Sequence, residues 1–352
     1  MLKTQGKSVK AAQYRRLVLL SAMISALIRG RRASLKCIGQ HLPYDIDLES
    51  RIKKAKRWLD SKYTTYQSFF LPYIKPILES LAKAGPLFLA IDGSEVGCGS
   101  MGLMISVVYK KRSIPICWLI RKGSKGHLPE QMHLDLLNTV VDILPPDCPI
   151  VLLGDGEFDG IGIQKFCRQN QWDYVLRTAK DTIITIPGQE AFSIKDLYPA
   201  NGEKYCFAPQ IRFSKKQYGP VNVMCWHDYP KYKNPIFLVT NLELPQLAAR
   251  YYRKRASIET LFGDIKSRGF SIHRTRIAEP CRLQSLLLVT CLAYLLTFSF
   301  GKQVREKVNF IGKFCRKERL YELSIFSLGL NALQYLIDFQ KAIPPNLSMN
   351  FL

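Results

Sequence analysis

Between residues 87 and 177 short apolar runs alternate with amphipathic stretches, and that order leaves few folds open. Residues 87–92 (LFLAID) and 150–153 (IVLL) are apolar without alternation, as buried strands are. Residues 103–109 and 114–120 are β-rich runs joined by Lys110-Lys111-Arg112-Ser113, which predicts a hairpin. Residues 130–144 have helical spacing and stop at Pro145-Pro146. A second helix is expected over 158–169 and a further strand over 172–177. Strand, hairpin, helix, strand, helix, strand predicts a mixed α/β sheet. Asp92 and Asp155 each follow an apolar strand directly, so the reading puts the chemistry at strand ends.

A third acid comes from a later helix, expected over 246–267. Its sequence from Tyr252 to Lys266 has the pattern Y-x2-R-x3-E-x6-K. At about 100° per residue, Arg255, Glu259 and Lys266 fall roughly 60°, 20° and 40° from Tyr252, on one side. Ile258, Leu261, Phe262 and Ile265 fill the adjoining arc. One carboxylate is flanked by two cations and a phenol, beside an apolar seam. Such a helix can present a metal-binding acid to a phosphate backbone. Asp264, about 140° from Glu259, is a weaker candidate. Glu95 is read as lying past its strand and Asp159 as an N-cap, with Glu157 a further nearby acid.

The charge balance names the class of partner. Fifty-one Lys and Arg stand against 28 Asp and Glu, a net +23. Residues 1–60 hold fourteen basic residues against four acidic, and residues 250–282 nine against three. Clustered excess of that size points to a polyanion, most economically nucleic acid, through counterion release. Phosphodiester chemistry needs an activated oxygen nucleophile and a steadied leaving oxygen. Two Mg²⁺ ions about 3.5–4 Å apart supply both, and hard carboxylate oxygens suit them. Three acids are therefore the expected metal ligands.

The domain reading follows composition. Residues 1–84 form a basic helical domain, expected to bind DNA. Residues 85–178 and 234–300 form the catalytic core. The turn-rich stretch 179–233 is a β-rich insertion, and 301–352 a helical segment that could dimerise. The apolar stretch 283–300 carries Gln284, Ser285, Thr290, Thr297 and Ser299, so a buried helix is expected and no membrane span. The ten cysteines include no C-x-x-C pair or zinc-finger array, which fits a reducing cytoplasm. No nucleophile elbow or Cys/His signature supports a Ser or Cys hydrolase.

Asp92, Asp155 and Glu259 in that order, with the Y-R-E-K spacing intact, resemble the DDE transposases of bacterial insertion sequences, in particular the insertion sequence 4 family. The segment Gly154-Asp155-Gly156-Glu157-Phe158 is similar to that family's surroundings of the second acid, and Ile91-Asp92-Gly93-Ser94 to those of the first. Gly156 departs from the basic residue that many relatives carry there. The resemblance covers about residues 85–300. It implies a ribonuclease-H-like core with a β-rich insertion, and two Mg²⁺ (or Mn²⁺) held by Asp92, Asp155 and Glu259. It also implies phosphate contacts from Arg255 and Lys266 supported by Tyr252. The implied reaction is hydrolysis at inverted repeats followed by joining of 3′-ends to target double-stranded DNA, by a homodimer in the bacterial nucleoid. Trp226 would be a base-stacking platform, and His127 and Arg274 DNA contacts. A nuclease that cuts without integrating, or a non-catalytic DNA-end-binding inhibitor, stays open.

Overall fold

The computed structural model describes residues 10–306 and 322–342, except 124, 125, 127, 201, 229 and 232. Its centre is a sheet that begins with β1 (Leu87–Gly97), β2 (Ser100–Tyr109) and β3 (Arg112–Lys122). β1 and β2 are antiparallel, as are β2 and β3. The expected hairpin is thus the second half of a three-stranded meander. The chain reverses from β1 to β2 through Gly97, Cys98 and Gly99, all at positive φ, a conformation that two of the three adopt without a Cβ penalty.

β4 (Ile150–Gly154) then pairs parallel to β1, and β5 (Asp173–Arg177) parallel to β4. All five residues of β4 are buried, which is why its sequence is a continuous apolar run and does not alternate. Helices α6 (Glu130–Val141) and α7 (Ile161–Gln169) make the two crossovers that parallel pairing requires.

Residues 179–233 do not form a sheet of their own. Within them β6 (Ile183–Thr185), β7 (Phe192–Ser193), β8 (Tyr205–Phe213) and β9 (Tyr218–Trp226) continue the first sheet, joined to it through β10 (Ile236–Thr240). The complete order is β3-β2-β1-β4-β5-β10-β9-β8-β6-β7. β10 runs antiparallel to both β5 and β9, so the inserted strands widen the sheet beyond β5.

The N-terminal helices α1 (Ala11–Gly30), α2 (Leu35–His41), α3 (Leu48–Leu59), α4 (Tyr66–Phe69) and α5 (Leu71–Ala82) are followed by the change to strands near residue 85. They share the main core: Leu17, Leu20 and Trp58 belong to the same buried cluster as Leu103, Leu152 and Leu286. The helix α10 (Pro280–Glu306) is the reason. Its middle, residues 286–300, is buried on nearly every side, and the helix packs on α1, on β3 and on α11 (Ile325–Asp338). Both α1 and α10 are long and apolar enough to cross a membrane by composition; 83% of the α10 window is buried inside the protein, the setting expected of a core helix. Its Tyr294 hydroxyl donates to the Ser113 carbonyl of β3 at 2.9 Å, satisfying a polar atom in the deepest layer.

Candidate active site

Asp92 is not at the end of β1, as the sequence suggested. The strand continues to Gly97 because its pairing with β2 continues, while its pairing with β4 stops at Ala90↔Leu153. One edge of β1 is therefore left without a strand neighbour from residue 91 onward. Asp92 sits on this stretch, two positions beyond the last parallel pair, and Asp155 lies two positions beyond Leu153, just past the end of β4. Parallel register thus puts both acids at the same level of adjacent chain segments. Asp92 is 4% exposed, and its Oδ1 accepts the Gly93 amide at 2.8 Å. The Asp155 Oδ1 accepts the Glu157 amide at 3.0 Å, which orients the carboxylate within a turn that Phe158 closes onto the Asp155 carbonyl. Glu95 lies inside β1 and is exposed, not past the strand.

The helix expected over 246–267 is interrupted. α8 (Pro245–Tyr252) passes through a 3₁₀ turn, Arg253–Ala256, into α9 (Ser257–Ile265). A 3₁₀ residue turns about 120°, not 100°, so four of them rotate the later positions by roughly 80° relative to Tyr252. Tyr252 is thereby turned inward relative to Glu259, while Arg255 stays within reach of both. Tyr252 is buried in a small core with Val151, Trp226 and Leu238, whereas the Glu259 side chain is 57% exposed. Burial pushes the Tyr252 phenol above its ordinary range, against the pull of Arg255 and Arg177.

Arg255 is the hinge of the arrangement. Its guanidinium stands 3.5 Å from the Asp92 carboxylate and bonds Glu259 one turn on. It also lies over the Tyr252 ring, 5.8 Å from its centroid. Burial works against this charge, but Tyr252, Glu259 and Asp92 together raise its pKa from the usual value. Lys266 caps α9, and its ammonium bonds the hydroxyl of Ser94, the neighbour of Asp92 on the same side of β1. α9 is thus tied to the free edge of β1 at both ends.

Beside Asp155 opens a cleft of about 660 Å³, lined among others by Glu157, Arg177, Lys180 and Phe237. Arg177 is one position beyond the β4–β5 pair Gly154↔Leu176, level with Asp155. A cation ending a strand beside an acid-terminated strand was a signal available in the sequence. So was His133, which the helical spacing places with Leu136, Leu137 and Val140 on the buried side of α6. Its imidazole is 3.9 Å from Glu157 and packs on Phe158, and burial pushes its pKa down.

Several expectations are corrected. Asp264 is buried and held by Arg112 and Arg268, each at 2.7 Å, so it has a structural task and no access to the site. Asp159 does not cap α7. It accepts the Thr178 hydroxyl at 2.6 Å, and Glu130 receives the Gly162 amide at the start of that helix. Trp226 is 1% exposed within β9, with Arg253 stacked 5.5 Å from its centroid, and offers no free face for a base. Arg274 is exposed, on the 3₁₀ turn Ile272–Arg274 beyond α9. His127 lies outside the described residues.

Asp92, Asp155 and Glu259 share one region but are not drawn into a single knot. Among the described residues, no three His, Cys, Asp or Glu side chains are placed to hold a metal ion together. The donor chemistry nevertheless fits a hard divalent cation. Asp92 and Glu259 already converge on one positive group, Arg255, and the register brings Asp155 beside Asp92.

The sequence matches the family described as "Transposase DDE domain" over residues 84–296, more than half of the chain. No curated protein matches it. Among solved structures it is similar to a piggyBac transposase synaptic complex with hairpin DNA determined by cryo-electron microscopy. That likeness has 11% identity and a TM-score of 0.45, and covers 96% of this chain and 74% of the other.

Proposed function

We propose a DNA-cutting and DNA-joining function for this chain, which belongs to the transposase DDE domain family. The reading is a transposase of the insertion sequence 4 type that cuts at inverted repeats of its element and joins the 3′-ends to target DNA. The observation that carries it is the convergence of Asp92 and Glu259 on Arg255, with Asp155 level with Asp92 across the parallel strands. The core is read as ribonuclease-H-like. Three antiparallel strands followed by two parallel ones, in the order β3-β2-β1-β4-β5, support that reading.

Asp92, Asp155 and Glu259 would hold divalent ions, Mg²⁺ or Mn²⁺. Such ions deprotonate an attacking oxygen and steady a leaving one. Asp92 and Asp155 are fixed by the strands and by the amides of Gly93 and Glu157, so their carboxylates need little reorganisation. Glu259 stands on an exposed helical surface and is free to swing from Arg255 toward them. Arg255 then turns its planar fork to a DNA phosphate, which replaces the carboxylate it loses. Lys266 supplies a point charge further along the same strand edge. Tyr252 backs Arg255 from the small core and does not reach DNA itself. Residues 1–84 would contribute DNA contacts and residues 301–352 a dimer contact, since two ends must be cut together.

Excision from a plasmid carrying the element tests this. Wild type with Mg²⁺ should excise, and Asp155→Ala should not while still retarding the element's DNA in a gel. Equal excision by both would remove the assigned site. DNA retardation without excision by either would favour a binding-only protein.

A further inference from the structure

Two basic stretches far apart in the chain meet as the walls of one groove. Its volume is about 670 Å³. Arg32, before α2, Lys36 on α2 and Lys56 on α3 stand on one side; Arg274, Arg276 and Arg282 stand on the other. Arg282 is neutralised by Asp60 and Glu279, at 2.6 and 2.7 Å. The other five are exposed, and none of them forms an ion pair with a carboxylate among the described residues. Five like charges around one concavity repel one another, and the fold tolerates that where a polyanion is to be received.

The groove also has a fixed address. Its floor includes Thr275, whose methyl group and carbonyl lie 2.8 and 3.1 Å from where a Cβ on Gly97 would stand; the Cys98 thiol bonds the same carbonyl at 3.5 Å. Gly97 ends β1, and Asp92 lies five residues back along it. At about 3.3 Å per residue, the groove is on the order of 15 Å from Asp92. Duplex DNA advances about 3.4 Å per base pair, so that distance is roughly four to five base pairs.

We propose that this groove holds the phosphate backbone of duplex DNA four to five base pairs from the bond being cut. The proposal rests on the reading of the chain as a DNA-cutting enzyme, and adds where the flanking duplex is gripped. It also explains why the helical N-terminal segment shares the main core: a clamp made by two elements keeps its spacing only if both are anchored to one body.

The test is binding of a ~30-base-pair duplex of arbitrary sequence, without divalent metal, measured by fluorescence polarisation across a salt series. Lys36→Gln combined with Arg276→Gln should lower the slope of log affinity against log salt by about 1.8, from two lost phosphate contacts, and weaken binding about tenfold. Lys36→Arg with Arg276→Lys should restore the slope. Lys215→Gln with Lys216→Gln, exposed in the turn between β8 and β9, should leave it unchanged. A groove variant with the wild-type slope, or a loss equalled by the Lys215 and Lys216 pair, would overturn the proposal while leaving the DNA reading intact. Wild type that shows no salt-dependent duplex binding would overturn both.

Discussion

Glu259 and Asp264 stand five positions apart on one short helix and have opposite tasks. The Asp264 side chain has no exposed surface and two guanidinium partners at 2.7 Å, while the Glu259 side chain is 57% exposed and faces Arg255 alone among the ion pairs it forms. Asp264→Ala should cost about 3–5 kcal/mol, because it leaves Arg112 in a half-dry site without its carboxylate. Glu259→Gln should change stability by less than about 0.5 kcal/mol, and DNA cleavage by on the order of a thousandfold. Urea denaturation and a plasmid-nicking assay on the same preparations separate the two outcomes. The sequence singles out Asp92 and Asp155 because each directly follows an apolar run, and Glu259 by its spacing from Tyr252, Arg255 and Lys266 on the late helix. That Arg255 joins two of them was not legible there, since which cation a carboxylate meets depends on the rotation introduced by the 3₁₀ turn. Trp226 misled for a related reason: an aromatic in a β run reads alike whether its strand edges the sheet or, as here, lies between β8 and β10.

Among the elements, α10 decides how the helical and sheet-forming parts of the chain are joined. Its apolar run was legible as a buried helix, but its closest partner was not. At the crossing of α10 and α11, a Cβ on Gly329 would stand 1.9 Å from the Thr297 carbonyl, and one on Gly301 equally close to the Ile325 carbonyl. The two backbones touch only because both positions lack a side chain. Gly329→Ala should therefore force the helices apart and cost roughly 1–3 kcal/mol, visible as a lowered midpoint in thermal or urea unfolding. A glycine inside a helical pattern says in sequence only that the helix is weakened there. The surface it meets comes from a segment some thirty positions away, on the order of two helix lengths. The strands show the same limit. Residues 179–233 were legible as β-rich, but whether they pair with one another or extend the existing sheet depends on β10 lying between β5 and β9.

Over the whole molecule, the charge excess and the acid triad describe two halves of one device. The basic groove and the acid-bearing edge of β1 are joined through Gly97 and Thr275, so in the proposed reading substrate grip and chemistry would share one strand. The basic clusters were visible as separate stretches of sequence; that they face each other follows only once α2, α3 and the segment before α10 rest on the same core. The central claim is that Asp92, Asp155 and Glu259 act as one site on DNA. Nicking of supercoiled plasmid with Mg²⁺ by Asp92→Asn, Asp155→Asn, Glu259→Gln and the triple variant tests it most directly, with duplex binding measured alongside. Residues that work as a unit lose nearly everything when any one is removed, so each single variant should fall by on the order of a thousandfold or more and the triple scarcely further. A single variant that nicks like wild type, or losses that add up stepwise to the triple, would contradict the account.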